Sequence, residues 1–381
     1  AGLGLGQPWY GRVASRSVDY LERRLWAEAG GFYTAESASL DGIEGKSYVF
    51  APAEVRAVLG ERAGRFLDWH ELVALPESRI DHELPDGGVV NLRPGRALDA
   101  LADDRLAEAM AGLEDDYAAL LAYRQERGQP GRDQKRVAEF NALTGLGLLA
   151  AAQPLDRGDA AARAVAVGEW LWKTLWDDDT MRLHRQAYAG EVGGEAFLAD
   201  YAAVGRLMLA LYGSQHELKW LFRAQRVAQA IEWRFIDQSG QLHERTVVGD
   251  PAASLPITPP LVGDDVGPSG HSQAVVFLLD LGQVMTAPVR QRRAVEALAG
   301  FAGEVAAEPA AWGWLVGELA RPSRAAAVAR FAADMATPES AGPGDSRDHV
   351  AVFAQVVAGG AAVEVRLVID PGFHINANPA S

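Results

Sequence analysis

Apolar residues recur three and four positions apart along most of the chain, from residue 1 to about 335. Val18-Leu21-Leu25, Leu113-Tyr117-Leu120-Leu121, Phe197-Tyr201-Val204-Met208-Leu211 and Leu221-Ala224-Val227-Ala228-Ile231 each line one face of a helix. Ala, Leu, Arg and Glu, all good helix formers, fill the positions between. The pattern predicts helix after helix, interrupted by Gly, Asp and Pro clusters. Few segments read as strands long enough for a parallel sheet, so a doubly wound fold is disfavoured.

The interruptions echo one another. Leu175-Trp176-Asp177-Asp178-Asp179 runs on to Leu183-His184-Arg185, and about 60 residues later Phe235-Ile236-Asp237-Gln238-Ser239-Gly240 runs on to Leu242-His243-Glu244-Arg245. Leu25-Trp26 followed by Gly30-Gly31-Phe32-Tyr33 is a third, earlier version. An aromatic helix end, a turn and a short return strand thus recur, which points to a repetitive helical architecture. Near Thr337 the pattern changes. Pro338 to Asp345 reads as a linker, and Val350-Ala-Val-Phe353 and Ala362 to Ile369 alternate or cluster like strands. Three parts are expected: a helical body over 1–337, a linker over 338–346, and a truncated β segment over 347–381.

Composition narrows the function classes. Thirty-six Lys and Arg against fifty-one Asp and Glu give a net charge of −15, with no basic cluster of the kind that replaces counterions on nucleic acid. No apolar run approaches the roughly 20 residues that span a bilayer, and no signal peptide is visible. The absence of cysteine excludes disulfides, thiolate metal sites and thiol catalysis within these residues. The His-Glu-Leu triplets at His70, His82 and His216 lack the second histidine of a metal hydrolase helix. No metal and no cofactor are expected.

Several segments together resemble a known family. Gly30-Gly-Phe-Tyr-Thr-Ala-Glu36, Glu44-Gly-Lys-Ser-Tyr-Val-Phe50, Asp133-Gln-Lys135, Phe140-Asn141, Asp200-Tyr-Ala202, Asp264-Asp265 and Pro268-Ser-Gly-His-Ser272 are similar, in order and spacing, to the YyaL-type thioredoxin-domain proteins, the group that includes spermatogenesis-associated protein 20. The resemblance implies a mainly α fold, an (α/α)6 toroid of helical hairpins of the six-hairpin glycosidase-like class, with a thioredoxin-like domain upstream as a partner. It also exposes departures. Ser37 and Ser39 stand where the family commonly has aspartates, Gln134 replaces an aspartate of its Asp-Asp-Lys, and His271 replaces an asparagine. Val365 to Pro379 is similar to the start of a DsbD-type amino-terminal domain, which tilts localisation towards the periplasm or cell envelope.

Glycosidase-like chemistry needs one protonated and one ionised carboxyl group, about 5–9.5 Å apart. The candidates are Glu36, Asp200, Asp264 and Asp265, with Asn141, Tyr201, Ser269 and His271 as ligand contacts. Each has a structural reading beside the functional one. Asp or Ser ahead of a helix caps free N–H groups, and Asp200 suits a helix dipole. Asn141 inside a helix needs a partner for its amide. Asp177-Asp178-Asp179 lacks the ordered spacing of a calcium loop and reads as a solvated turn. Trp170, Trp172, Trp176, Trp312 and Trp314 serve either packing or sugar stacking. Glu36, Asn141, Asp264, Asp265 and His271 are expected to converge at one end of a central cleft. Two functions remain open: a catalytically degenerate module that binds a carbohydrate-like or peptide-like ligand or its own redox domain, and an active carbohydrate hydrolase or sugar epimerase. The missing carboxylates favour the first.

Overall fold

The structure is a computed structural model that describes residues 8–73, 89–94, 101, 103–247, 263–336, 350–356 and 363–369. It is mainly α, as the periodicity predicts. By its contacts the chain divides into two units. One takes in 1–237, 243–259 and 269–274; the other takes in 238–242, 260–268 and 275–381.

The first unit opens with α1 (Pro8–Tyr20), which ends in a wider π turn, Leu21–Leu25. Then come α2 (Pro52–Leu59), α3 (Ala63–Asp68), α4 (Asp103–Gly112) and α5 (Glu114–Glu126). Phe50, Val55, Leu59, Phe66, Met110, Leu113 and Leu120 bury one another in a continuous apolar cluster. Two hairpins follow, α6 (Ala138–Ala152) with α7 (Gly158–Trp170) and α8 (Leu198–Gln215) with α9 (Leu218–Arg234). α6 packs on α7 and α8, and α8 packs on α9. Gly145 lets α8 approach closely, since a Cβ there would lie 2.9 Å from Leu207.

Loop length sorts the two ends of these hairpins. Residues 153–157 and 216–217 are tight turns, the second closed by His216 in the left-handed region at φ +56°. Tight turns make neighbouring helices antiparallel. The connection 176–197 therefore lies at the end where α6 and α8 begin, and a second connection leaves α9 after Arg234 at that same end. α10 (Gly270–Val284) starts from the second of these connections.

Three of the short strands sit in the connection 176–197. Trp176–Asp177 pairs with Arg182–Tyr188, which forms a hairpin with Glu191–Glu195 and also pairs with Arg136–Val137. The return at Leu183 is visible in the sequence, but this longer hairpin is not, because Tyr188 and Val192 are exposed and leave no one-sided apolar pattern.

The second unit continues α10 and adds α11 (Pro288–Ala299), α12 (Ala302–Ala307), α13 (Gly313–Leu319) and α14 (Pro322–Ala336). Arg324 ties them together, donating to both carboxylate oxygens of Asp280 at 2.7 and 2.6 Å and pairing with Glu318. Trp312 is buried against Phe301, ring centroids 5.2 Å apart. Val350–Val356 and Val363–Ile369 form one antiparallel ladder, close to the expected strands. The linker at 338–346, and His374, Asn376 and Pro379 in the tail, lie outside the described residues.

Candidate functional site

The three echoing segments share one construction. α1 and α7 both close on a π turn, the Trp26 N–H reaching the Leu21 carbonyl at 3.0 Å and the Trp176 N–H reaching that of Leu171. The chain then reverses and returns antiparallel. Trp26 bridges Phe32, Trp176 faces Leu183, and the His243 N–H donates to the Phe235 carbonyl at 2.8 Å. Gly30 and Gly31 make the first reversal at φ +86° and +76°, with the Trp170 ring laid over both. Arg136 holds this turn, donating to the Gly30 carbonyl at 2.6 Å, its guanidinium 5.2 Å from the Trp170 ring.

When the echoes are aligned on Phe32, Leu183 and Leu242, the position two residues on is Thr34, Arg185 and Glu244. The last two enter a polar cluster at the helix N-termini. Asp200, fully buried on the first turn of α8, accepts the Phe197 N–H at 2.9 Å and the Glu139 N–H of α6 at 3.1 Å. Arg185 donates to the same carboxylate at 3.4 Å. Gln273 on the first turn of α10 donates to Glu139 at 3.4 Å and is itself held by Arg206 at 2.9 Å. The Glu244 carboxylate accepts a backbone N–H from Ala199, while its carbonyl accepts that of Leu198 at 3.0 Å. His271 Nδ1 lies 3.6 Å from Glu244. Gly270 is favoured here, because a Cβ would sit 2.9 Å from the Ala199 backbone nitrogen.

Three carboxylates thus meet the first turns of three helices, whose free N–H groups and dipoles favour negative charge. Charge crowding works the other way. Burial, then the Asp200 charge, raises the Glu139 carboxyl above its usual range. Burial, then Glu139 and Asp200, raises Glu244 to about 7, although 44% of its side chain stays open to water, which limits the rise. Burial also raises Asp200, against the backbone N–H groups and Arg185. Asp200 spends both oxygens on the backbone, so it positions the helix starts. Glu139 and Glu244 keep capacity for a ligand. A carboxyl near its titration point can donate as well as accept, as can the Gln273 amide.

Asp200 and His271 are therefore brought to one cluster. Tyr201 lies one residue on, but it is buried and its hydroxyl accepts the Leu183 N–H at 2.8 Å. Glu36 has other partners, the Tyr20 hydroxyl at 2.8 Å and Arg24 at 2.7 Å. Asn141 is occupied by backbone, as the Phe32 N–H, the Phe32 carbonyl and the Val137 carbonyl use its amide. Ser269 caps α10 through the Ser272 N–H at 3.1 Å. In the second unit, Asp264 accepts the Leu315 N–H at 3.0 Å, and the Asp265 N–H donates to the Gly267 carbonyl at 3.0 Å. Asp177 closes a local turn, accepting from the Asp179 N–H and the Thr180 hydroxyl. Trp170 and Trp176 are buried in packing. Glu139, Arg185, Glu244 and Gln273 went unnoticed in the motifs, although the echo already placed Arg185 and Glu244 at equivalent positions. Among the described residues no group of three His, Asp or Glu side chains is arranged to hold a metal ion, and no helix is long and apolar enough to cross a membrane.

This architecture defines the class: a mainly α protein built of helical hairpins. In sequence the chain is similar to spermatogenesis-associated protein 20. It is 29% identical to the mouse protein over 265 residues, covering 62% of this chain and 33% of that protein. It is 28% identical to the human protein over 264 residues, with 62% and 34% covered. The chain thus spans about one third of the length of these relatives. No family model matches it. Similar solved structures include cellobiose 2-epimerase from Bacillus thermoamylovorans, with 10% identity, 88% of this chain and 89% of that chain covered, and a TM-score of 0.40. A family 76 glycoside hydrolase from Bacteroides thetaiotaomicron has 17% identity, 49% and 42% covered, and a TM-score of 0.36. These overlaps are too loose to carry a substrate or an activity to this chain.

Proposed function

We propose that this chain is a catalytically degenerate binding module of a longer protein, which takes a carbohydrate-like ligand at Glu139, Glu244 and Gln273. The observation that carries it is geometric: Glu139, bonded to the Gln273 amide that Arg206 clamps, and the half-open Glu244 meet the same cluster of helix starts. Two carboxyl groups beside a clamped amide offer acceptors and a donor that match a row of hydroxyl groups. The carboxylates singled out in the sequence are already committed: Asp200 to two N–H groups, Glu36 to Arg24 and Tyr20, Asp264 to Leu315. The thioredoxin-like domain implied by the motifs is the natural partner in the full-length protein.

Calorimetric titration with a panel of neutral mono- and disaccharides, alongside product analysis, tests this reading. Binding without turnover, weakened at least ten-fold by Glu139→Gln or Glu244→Gln, is expected. Turnover that either substitution abolishes would replace it with an active carbohydrate hydrolase or sugar epimerase.

A further inference from the structure

A second polar site lies where the π turn after α1, the loop carrying Tyr48 and the last turn of α5 come together. Most of its charges are matched. Glu36, its side chain only 5% exposed, takes Arg24 and the Tyr20 hydroxyl. Arg127 pairs with Glu54 at 2.9 Å, donates to the Val49 carbonyl at 2.9 Å and lies over the Phe50 ring at 4.6 Å. Arg132 donates to the Arg24 carbonyl at 2.9 Å.

Arg124 is the exception. Its guanidinium is half-buried, with no carboxylate or carbonyl partner among the described residues. Its one neighbouring contact is the Tyr48 ring, 5.9 Å away and at the edge of cation–π range, which is about 6 Å. Tyr48 is 40% exposed and turns its hydroxyl towards the Ser37 carbonyl at 3.4 Å. Burial, and then the charge of Arg23, destabilise the protonated guanidinium, while Tyr48, Glu36 and Tyr20 support it. Arg23 is exposed and likewise has no ion-pair partner among the described residues. A partly desolvated guanidinium that no described carboxylate meets directly, next to a second cation, is costly on its own. An arriving anion offsets that cost.

We propose that Arg124, with Arg23 beside it and the Tyr48 ring against it, forms a binding site for a compact oxyanion, the carboxylate of a sugar acid or the phosphate of a sugar phosphate. The guanidinium fork matches either group through two parallel hydrogen bonds. The tyrosine face packs against the attached carbon skeleton. On a chain of net charge −15 the long-range field repels anions, so binding here depends on these local contacts and weakens with added salt. The site does not use Glu139 or Glu244, so it stands or falls independently of the carbohydrate reading above.

The test is calorimetric titration of the full chain at low salt with inorganic phosphate, glucose 6-phosphate, glucuronate and, as control, glucose. At least one charged probe should bind and glucose should not bind at this site. The ranking of phosphate against carboxylate probes identifies the source of the anion. Arg124→Gln should weaken binding at least ten-fold, and Arg23→Gln two- to five-fold. If Arg124→Gln fails to fold, Arg124→Lys, which keeps the charge but loses the fork, should show the same loss. Failure of every charged probe to bind the wild type, or binding unchanged in the folded Arg124 variant, would overturn the proposal.

Discussion

Asn141 Oδ1 accepts the Phe32 N–H at 2.6 Å while its amide donates back to the Phe32 carbonyl at 3.1 Å, so one side chain on α6 completes both backbone bonds of a residue 109 positions away. The same amide also reaches the Val137 carbonyl at 2.9 Å. Asn141 is 1% exposed and Phe32 3%, so water cannot replace these bonds. Asn141→Ala should orphan both Phe32 groups at about 1–3 kcal/mol each, for a total loss of roughly 2–6 kcal/mol in urea denaturation. Asn141→Asp keeps the acceptor but loses both donors and buries a charge, and should be no better at pH 7. A loss below about 1 kcal/mol for Asn141→Ala would show that the Phe32 turn is held by other contacts.

Gly31 is the second backbone-limited point of the same turn. At φ +76° a side chain costs about 1–2 kcal/mol on conformation alone. A Cβ would also sit 2.8 Å from Trp170 Cε3. Gly31→Ala should therefore lower the melting temperature clearly, whereas Gly45→Ala, at φ +79° with nothing within 4 Å, should show only the conformational part. Equal losses at the two positions would rule out the Trp170 contact as a cause.

Much of this was legible in the sequence because it is local. The heptad-like spacing of Phe197 to Leu211 gave α8, and the Trp26, Trp176 and Phe235 reversals appear as a repeat. The site was not legible, because it is made by helix starts that meet only after folding. Glu139, two residues before the conspicuous Asn141, looks like an ordinary first-turn acid, and nothing local to Gln273 announces Arg206. The candidates chosen instead, Glu36, Asn141 and Asp264, stood out through their motifs. Their side chains turn out to bond an arginine and a tyrosine, a backbone turn and a helix start. A motif marks a position the fold constrains, and a constrained position can serve the backbone as readily as a ligand.

The Glu244 carboxyl supplies a pH test. Its value rises from 4.5 to about 7 on folding, so the folded state binds the proton more tightly than the unfolded one. Its effect on stability is favourable below about pH 4.5 and is lost as pH rises through about 7. Glu244→Gln mimics the neutral form. The stability difference, variant minus wild type, should grow between pH 5 and 8, and adding Asp200→Asn should shrink that growth by removing a neighbouring charge. A difference that stays flat with pH would mean that water at the exposed part of the side chain cancels the shift.

His70 responds in the opposite sense and in another part of the first unit. It is 4% exposed, stacked on Phe66 with centroids 3.9 Å apart. Nδ1–H donates to the Phe66 carbonyl at 2.6 Å, which leaves Nε2 to accept from the Tyr117 hydroxyl at 2.8 Å. Both ring nitrogens are thus used by the neutral form. Burial lowers the histidine below its ordinary 6.5, against smaller opposing effects of the Phe66 carbonyl and Asp116. Burial also pushes the Tyr117 hydroxyl up to about 12, which keeps it a donor at any ordinary pH. Because the unfolded chain takes up the proton first, stability should fall as pH drops below about 6.5. His70→Gln should be less stable at pH 7.5, where it loses the stacking on Phe66, and should lose less further stability between pH 7 and 5 than the wild type does. Urea midpoints of both proteins across that range, read by the near-ultraviolet signal of the surrounding aromatics, decide the matter; parallel pH profiles would exclude His70 as the titrating group.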